Sequence, residues 1–198
     1  MKTHSVRADR GFTLIELLVV IAIIAVLAGV GFSAGSSAIQ KAKRTTCLAA
    51  ATSIESAVAN FHTEYGSMPY DSTSTPPKDE KVDTAATTGI ALLKTLLGMD
   101  TVRNPRGIKF LSAKEGKANK NGLIYNTSGS DVTGMYDPWG GPYNIFLDLN
   151  YDEKLEDVKT DKGPKVTLNG RRVAVFSDGA DWKSDTATPT DDVKTWGQ

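Results

Sequence analysis

Residues 12–32, "FTLIELLVVIAIIAVLAGVGF", limit what this chain can fold into more than any other stretch. From Leu17 to Phe32 no side chain is charged or strongly polar. Counted from Phe12 the run holds 21 residues, about 31 Å as a helix, which matches a hydrocarbon core of roughly 30 Å. A helix that packs on a soluble core keeps a polar face; here Thr13 and Glu16 are the exceptions, both near the start. The pattern predicts a membrane-inserted helix, the other reading being a removable export signal. Glu16 is the anomaly. A carboxylate carried into lipid costs about 3 kcal/mol or more, so it must be paired or held at the water boundary. In the first turn of a helix the dipole favours an anion and the side chain can reach back to water. Lys2, Arg7 and Arg10 precede the run while Lys41, Lys43 and Arg44 follow it, so basic charge does not set the orientation.

Beyond Phe32 the helical pattern continues but becomes amphipathic. Cys47, Ala50, Ile54, Val58, Phe61 and Tyr65 recur at spacings of three and four, the signature of one buried helix face. No proline occurs before Pro69, which predicts one helix from Phe12 to about Tyr65, roughly 80 Å long. Gly29, Gly31 and Gly35 weaken its middle. Residues 66–83 are rich in Ser, Thr, Pro and charge and read as a surface loop. A short helix is expected at Thr88–Leu97, with Ile90, Leu93, Leu96 and Leu97 on one face. Strands are expected at 107–111, 122–125, 143–149, 165–168 and 171–177. A long helix followed by a small sheet is an α+β arrangement with the helix as its spine.

Charge and reactive residues narrow the function. Lys plus Arg and Asp plus Glu both number 23, so no basic excess draws the chain to nucleic acid. Cys47 is the single cysteine and forms no intrachain disulfide. With His4 and His62 as the two imidazoles, most nucleophile–base pairs and zinc sites are excluded. Ser177 lies in "FSDG", which is no nucleophile elbow, and no sequence feature sets two carboxylates across an apolar cleft. The sequence therefore reads as a non-enzyme.

The stretch "RGFTLIELLVVIAIIAVLAG" closely resembles the N-terminal signal of type IV pilins and type II secretion pseudopilins. In that family a short basic leader stays in the cytoplasm, a membrane peptidase cuts between glycine and phenylalanine, and the same enzyme methylates the new amino terminus. The resemblance implies a cut between Gly11 and Phe12, N-methylation of Phe12, and Glu16 as the acidic fifth residue of the mature chain. It further implies that Glu16 neutralises the amino group of Phe12 on a neighbouring subunit during filament assembly. Other pieces follow in the family's order. "EYGSMPYDS" at 64–72 resembles the turn that ends the long helix in major pseudopilins, with Met68 where they carry tyrosine. "TGIALLKTLLG" at 88–98 resembles their short helix, "DPWGGPYNIF" at 137–146 their strand entry, and residues 175–196 their C-terminal calcium-binding loop. Ser33 stands where many relatives have a proline, Thr190 stands where a first acid is common, and residues 99–135 match the family poorly.

The implied organisation is a leader over 1–11, a transmembrane or filament-core half-helix over 12–32, an amphipathic half over 33–65, and a periplasmic domain over 66–198. The implied role is a structural pseudopilin of a type II secretion machine, held in the inner membrane with its N-terminus cytoplasmic and then assembled into a periplasmic filament. Its partners would be further pseudopilins, the prepilin peptidase, the inner-membrane assembly platform and membrane lipid, with no nucleic acid. The alternatives are a type IV pilin of a surface filament and an exported soluble enzyme with an ordinary signal peptide. For Ca2+ the resemblance points to Asp181 and Asp192, with Asp178, Asp185 and Asp191 as further candidates. Six to eight oxygens would be needed. A second acidic stretch, "DLNYDEKLED" at 148–157, matches the first three ligand positions of an EF-hand loop through Asp148, Asn150 and Asp152. Glu153 replaces the turn glycine and Lys159 the bidentate acid, so this stretch reads as a turn with incidental acids.

Overall fold

A computed structural model describes residues 12–158, 165–180 and 192–197, with the side chains of 28 and 30–34 left aside. Helix α1 runs Leu14–Tyr65, β1 Glu80–Asp83, α2 Thr87–Leu96, β2 Gly122–Tyr125, β3 Val132–Tyr136 and β4 Asn144–Leu147. Then come β5 Lys154–Val158, β6 Val166–Asn169, β7 Val173–Ser177 and β8 Val193–Lys194. The α+β order of a long helix before antiparallel strands is the one expected. By its contacts the chain divides into Met1–Lys41 and a compact unit, Ala42–Gln198.

In the first unit the described large apolar side chains, from Phe12 at 73% to Leu27 at 66%, are exposed. Among the described residues no helix is long and apolar enough to cross a membrane. The unbroken run of described side chains in the apolar segment ends at Leu27.

The second unit is built on a four-stranded antiparallel sheet in the order β1-β4-β7-β8, with β2–β3 and β5–β6 as separate hairpins. Central strands β4 and β7 read as near-continuous apolar runs because both of their faces are covered. Ile145, Leu147, Val173 and Val175 point into a large core with Cys47, Ala51, Ile54, Ala57, Val58 and Phe61 of α1. Their alternates Phe146, Ala174 and Phe176 join Leu155, Val158 and Trp196 in a second, smaller core. Each large apolar side chain buried this way contributes about 1.5–3 kcal/mol. The stripe on α1 differs from expectation at its edges: Ala51 and Ala57 are buried, while Ala50 and Tyr65 are only partly covered.

Two expectations fail. Residues 107–111 are not a strand. Phe110 N–H and Leu111 N–H both donate to the Leu96 carbonyl, at 2.9 and 3.0 Å, so this apolar stretch closes the end of α2 instead of joining a sheet. Buried Asn104 fixes it there. Its amide donates to the Thr95 and Ile108 carbonyls at 2.9 and 2.7 Å, and its oxygen accepts from Ile108 N–H and the Tyr65 hydroxyl at 3.0 and 2.7 Å. The loop expected over 66–83 ends in β1, an edge strand that pairs with β4 from Glu80↔Leu147 to Asp83↔Asn144.

Candidate functional site

The N-terminal end of α1 is organised by a reciprocal cap. Thr13 N–H and Thr13 Oγ1 donate to Glu16 Oε2 at 2.9 and 2.8 Å, and Glu16 N–H donates to Thr13 Oγ1 at 3.3 Å. This arrangement satisfies helix N–H groups that have no intrahelical acceptor. In the sequence Thr13 stood out only as a polar exception, although T-x-x-E ahead of an apolar run is the signature of such a cap. Phe12 stands exposed one residue before it, and Gly11, the other half of the expected cleavage pair, lies outside the described residues. The acid in the apolar run therefore has an intramolecular partner at the helix start.

The "DPWGGPY" turn forms a buried polar knot. Asp137 is fully buried. Its Oδ1 accepts from the N–H groups of Trp139, Gly140 and Gly141 at 2.8, 2.7 and 2.9 Å, and its Oδ2 from Ser177 Oγ at 2.6 Å. Gly179 N–H in turn donates to Ser177 Oγ at 3.1 Å. Burial pushes the adjacent Cys47 thiol up to about 11, against the weaker pull of Ser177 and Tyr143. Burial also raises Tyr143. A thiol raised in this way is a poor nucleophile. Ser177, at the end of β7, thus ties down the turn between β3 and β4.

The five carboxylates expected at the terminal loop are only partly placed. Asp178 follows β7, and buried Asp192 precedes β8, where its carbonyl accepts from Arg44 Nη2 at 3.3 Å. Asp181, Asp185 and Asp191 lie outside the described residues, and the two that are placed do not make a calcium site by themselves. Among the described residues no three His, Cys, Asp or Glu side chains gather into a ready-made metal cluster.

The second acidic stretch is more ordered than its sequence promised. Asp148, at the end of β4, is 0% exposed, and its Oδ2 accepts from Glu153 N–H at 3.0 Å. Asn150 Oδ1 and Asp152 Oδ1 accept from Asp152 N–H and Lys154 N–H at 3.1 and 3.0 Å. Asp79, just before β1, accepts from Glu156 N–H at 2.8 Å. Glu153 has φ +61°: the residue in the glycine place adopts the left-handed conformation that glycine was expected to provide. The objection raised from sequence does not hold for the backbone.

The structure thus shows a threonine–glutamate cap on a long exposed apolar helix, ahead in the chain of a small antiparallel sheet. The model of the prokaryotic N-terminal methylation motif matches residues 6–32. Two curated proteins, both described as type IV major pilin protein PilE1 from Neisseria gonorrhoeae, are 37% identical to the chain over 77 residues. The alignment covers 37% of this chain and 47% and 43% of those pilins. The chain thus spans less than half the length of the curated relatives it matches. No solved structure matches it. The motif and the identity support a subunit of the type IV pilin-like kind.

Proposed function

We propose that this chain is a filament subunit without enzymatic activity, specifically a pseudopilin that assembles into a periplasmic filament for type II secretion. The exposed apolar helix carries this reading. A dozen large apolar side chains from Phe12 to Leu27 stand exposed behind a charged cap, an arrangement water does not tolerate. Lipid covers them first, with the helix crossing the inner membrane from a cytoplasmic N-terminus, and neighbouring helices cover them in the filament. Lipid tails are as apolar as these side chains, so apolar area alone gives no reason to leave the bilayer. A carboxylate at the helix start does, because a neighbour's new amino terminus offers it a charged partner. The prepilin peptidase, the assembly platform and related pseudopilins are the partners this requires. The "DPWGGPY" knot and the short helix α2 support the pseudopilin branch. The similarity to two gonococcal major pilins favours a second reading, a surface type IV pilin.

Mass spectrometry of the mature chain recovered from cell envelopes tests the processing step. The expected result is a methylated N-terminus at Phe12, and Gly11→Val should accumulate uncut precursor because a β-branched side chain crowds the scissile bond. A mature N-terminus beyond Ala34 would return the chain to an ordinary exported protein. Locating the assembled filament in the periplasm or on the cell surface separates the two readings.

A further inference from the structure

We propose that the β4–β5 loop is a calcium site, with Asp148, Asn150 and Asp152 as ligands from the loop and Asp79 as a ligand from the segment before β1. The inference does not rest on the filament reading, since it uses only groups within the compact unit.

Its first support is a pair of unsatisfied acids. Asp148 is fully buried, and its Oδ1 has no hydrogen-bond partner; the buried Oδ1 of Asp79 has none either. Each carboxylate spends its other oxygen on a main-chain N–H, from Glu153 and Glu156 respectively. Among the described residues no Lys or Arg forms an ion pair with either. A buried carboxylate oxygen without a partner is costly, and the β1–β4 register that pairs Glu80 with Leu147 leads next to Asp79 and Asp148, so two such costs fall at one end of the sheet. A cation relieves both costs at once.

The loop around the pair supports the same ion. Tyr151 and Glu153 both have φ +61°, unfavourable for side chains of their size. The fold holds each of them there. Met68 N–H donates to Tyr151 Oη at 3.0 Å, and Glu153 pairs with Arg172. Both side chains are thereby tied to other segments, while Asp148, Asn150 and Asp152 alternate with them along the loop. Asn150 and Asp152 are exposed and bring their carbonyl and carboxylate oxygens to the same short loop as Asp148. Among the described residues no three-acid cluster stands ready-made. The donors are carboxylate and amide oxygens without nitrogen or sulfur, a set that selects a hard cation. Calcium accepts such an irregular mixture and completes its six to eight oxygens with carbonyls and water, whereas magnesium demands a tight octahedron. Asp79 supplies from a distant segment the charge that the loop lacks where Lys159 stands in the ligand pattern.

The test is thermal unfolding of the full chain in detergent, stripped with EDTA and then given CaCl2 or MgCl2. At tenfold excess over Kd, calcium should raise the melting temperature by about 3–6 °C, and magnesium by less. Asp148→Asn keeps the acceptor for Glu153 N–H but removes a charge. It should lose the calcium shift while melting, in EDTA, at or above the wild-type temperature. Asp79→Asn should do the same and serves where Asp148→Asn fails to fold. Asp192→Asn, in the terminal loop, should retain the shift. No calcium shift in the wild type, or a shift that survives both Asp148→Asn and Asp79→Asn, overturns the site. A lower melting temperature of both variants in EDTA would also overturn it, since it would make the acids structural and not ion-binding.

Discussion

At the scale of single residues, hydrogen bonding decides the state of several acids. Glu80 Oε1 accepts from Ser72 Oγ, Thr73 N–H and Thr73 Oγ1 at 2.9, 2.6 and 2.8 Å. Burial pushes this carboxyl up, but those donors outweigh it and leave the group below its ordinary value of 4.5. A depressed folded-state value means that the stabilisation is present above the unfolded pKa and is lost as pH falls through the folded one. Glu80→Gln should therefore melt below the wild type at neutral pH, and the gap should narrow once the pH falls below about 4. A gap that does not change with pH would show that the charge plays no part. Glu16 and Glu153 show how unevenly such roles are legible in sequence. The acid in the apolar run was visible from composition alone, whereas its cap needed Thr13 to be recognised as the first residue of T-x-x-E. Glu153 looked disqualifying in the glycine place because sequence gives residue type, not φ. The tertiary ties of Glu153 to Arg172 and of Tyr151 to Met68 lie far away in the chain and leave no local signal.

At the scale of elements, legibility followed the number of apolar side chains an element commits to the cores. Strands β4 and β7 were readable because both faces are apolar, and α1 because its stripe has a helical period. "EKVD" of β1 and "KLEDV" of β5 offer one or two apolar residues each, too few for a period-two pattern, and pairing with β4 and β6 makes them strands. Residues 107–111 carried the opposite error, since an apolar run can cover a helix end as well as join a sheet. Helix α2 shows how tightly such pieces meet. A Cβ built on Gly89 would lie 1.9 Å from the Asp83 carbonyl oxygen at the end of β1. Alanine favours a helix over glycine by about 1 kcal/mol, but a backbone clash of this depth costs more, about 1–3 kcal/mol after relaxation and upward. Gly89→Ala should lower the melting temperature by about 3 °C or more, and an unchanged or higher value would mean that β1 and α2 yield freely. Asn104 makes the corresponding tie at the other end of α2, with four hydrogen bonds on one buried amide.

At the scale of the whole molecule, the two units differ in what they leave exposed: one carries a run of exposed apolar side chains, the other buries its apolar residues in two internal cores. Glu16→Leu separates insertion from assembly. It should insert and be cut as wild type does, since it makes the lipid-facing segment more apolar, yet filament yield should fall because the charged partner for a neighbour's amino terminus is gone. Equal yields, measured by cross-linking of wild-type and variant subunits, would reduce Glu16 to its capping bond with Thr13. The strand order of the domain also has a kinetic side. No two neighbours in the four-stranded sheet are joined by a tight turn: Leu147 pairs with both Glu80 and Val173. Each pairing must close a long stretch of chain before any contact rewards it, which slows folding. The hairpins β2–β3 and β5–β6 lie inside those very stretches. Each forms locally within microseconds and draws in the slack between β1 and β4, or between β4 and β7. Pieces that contribute no strand to the central sheet thus shorten the search by which that sheet finds its register.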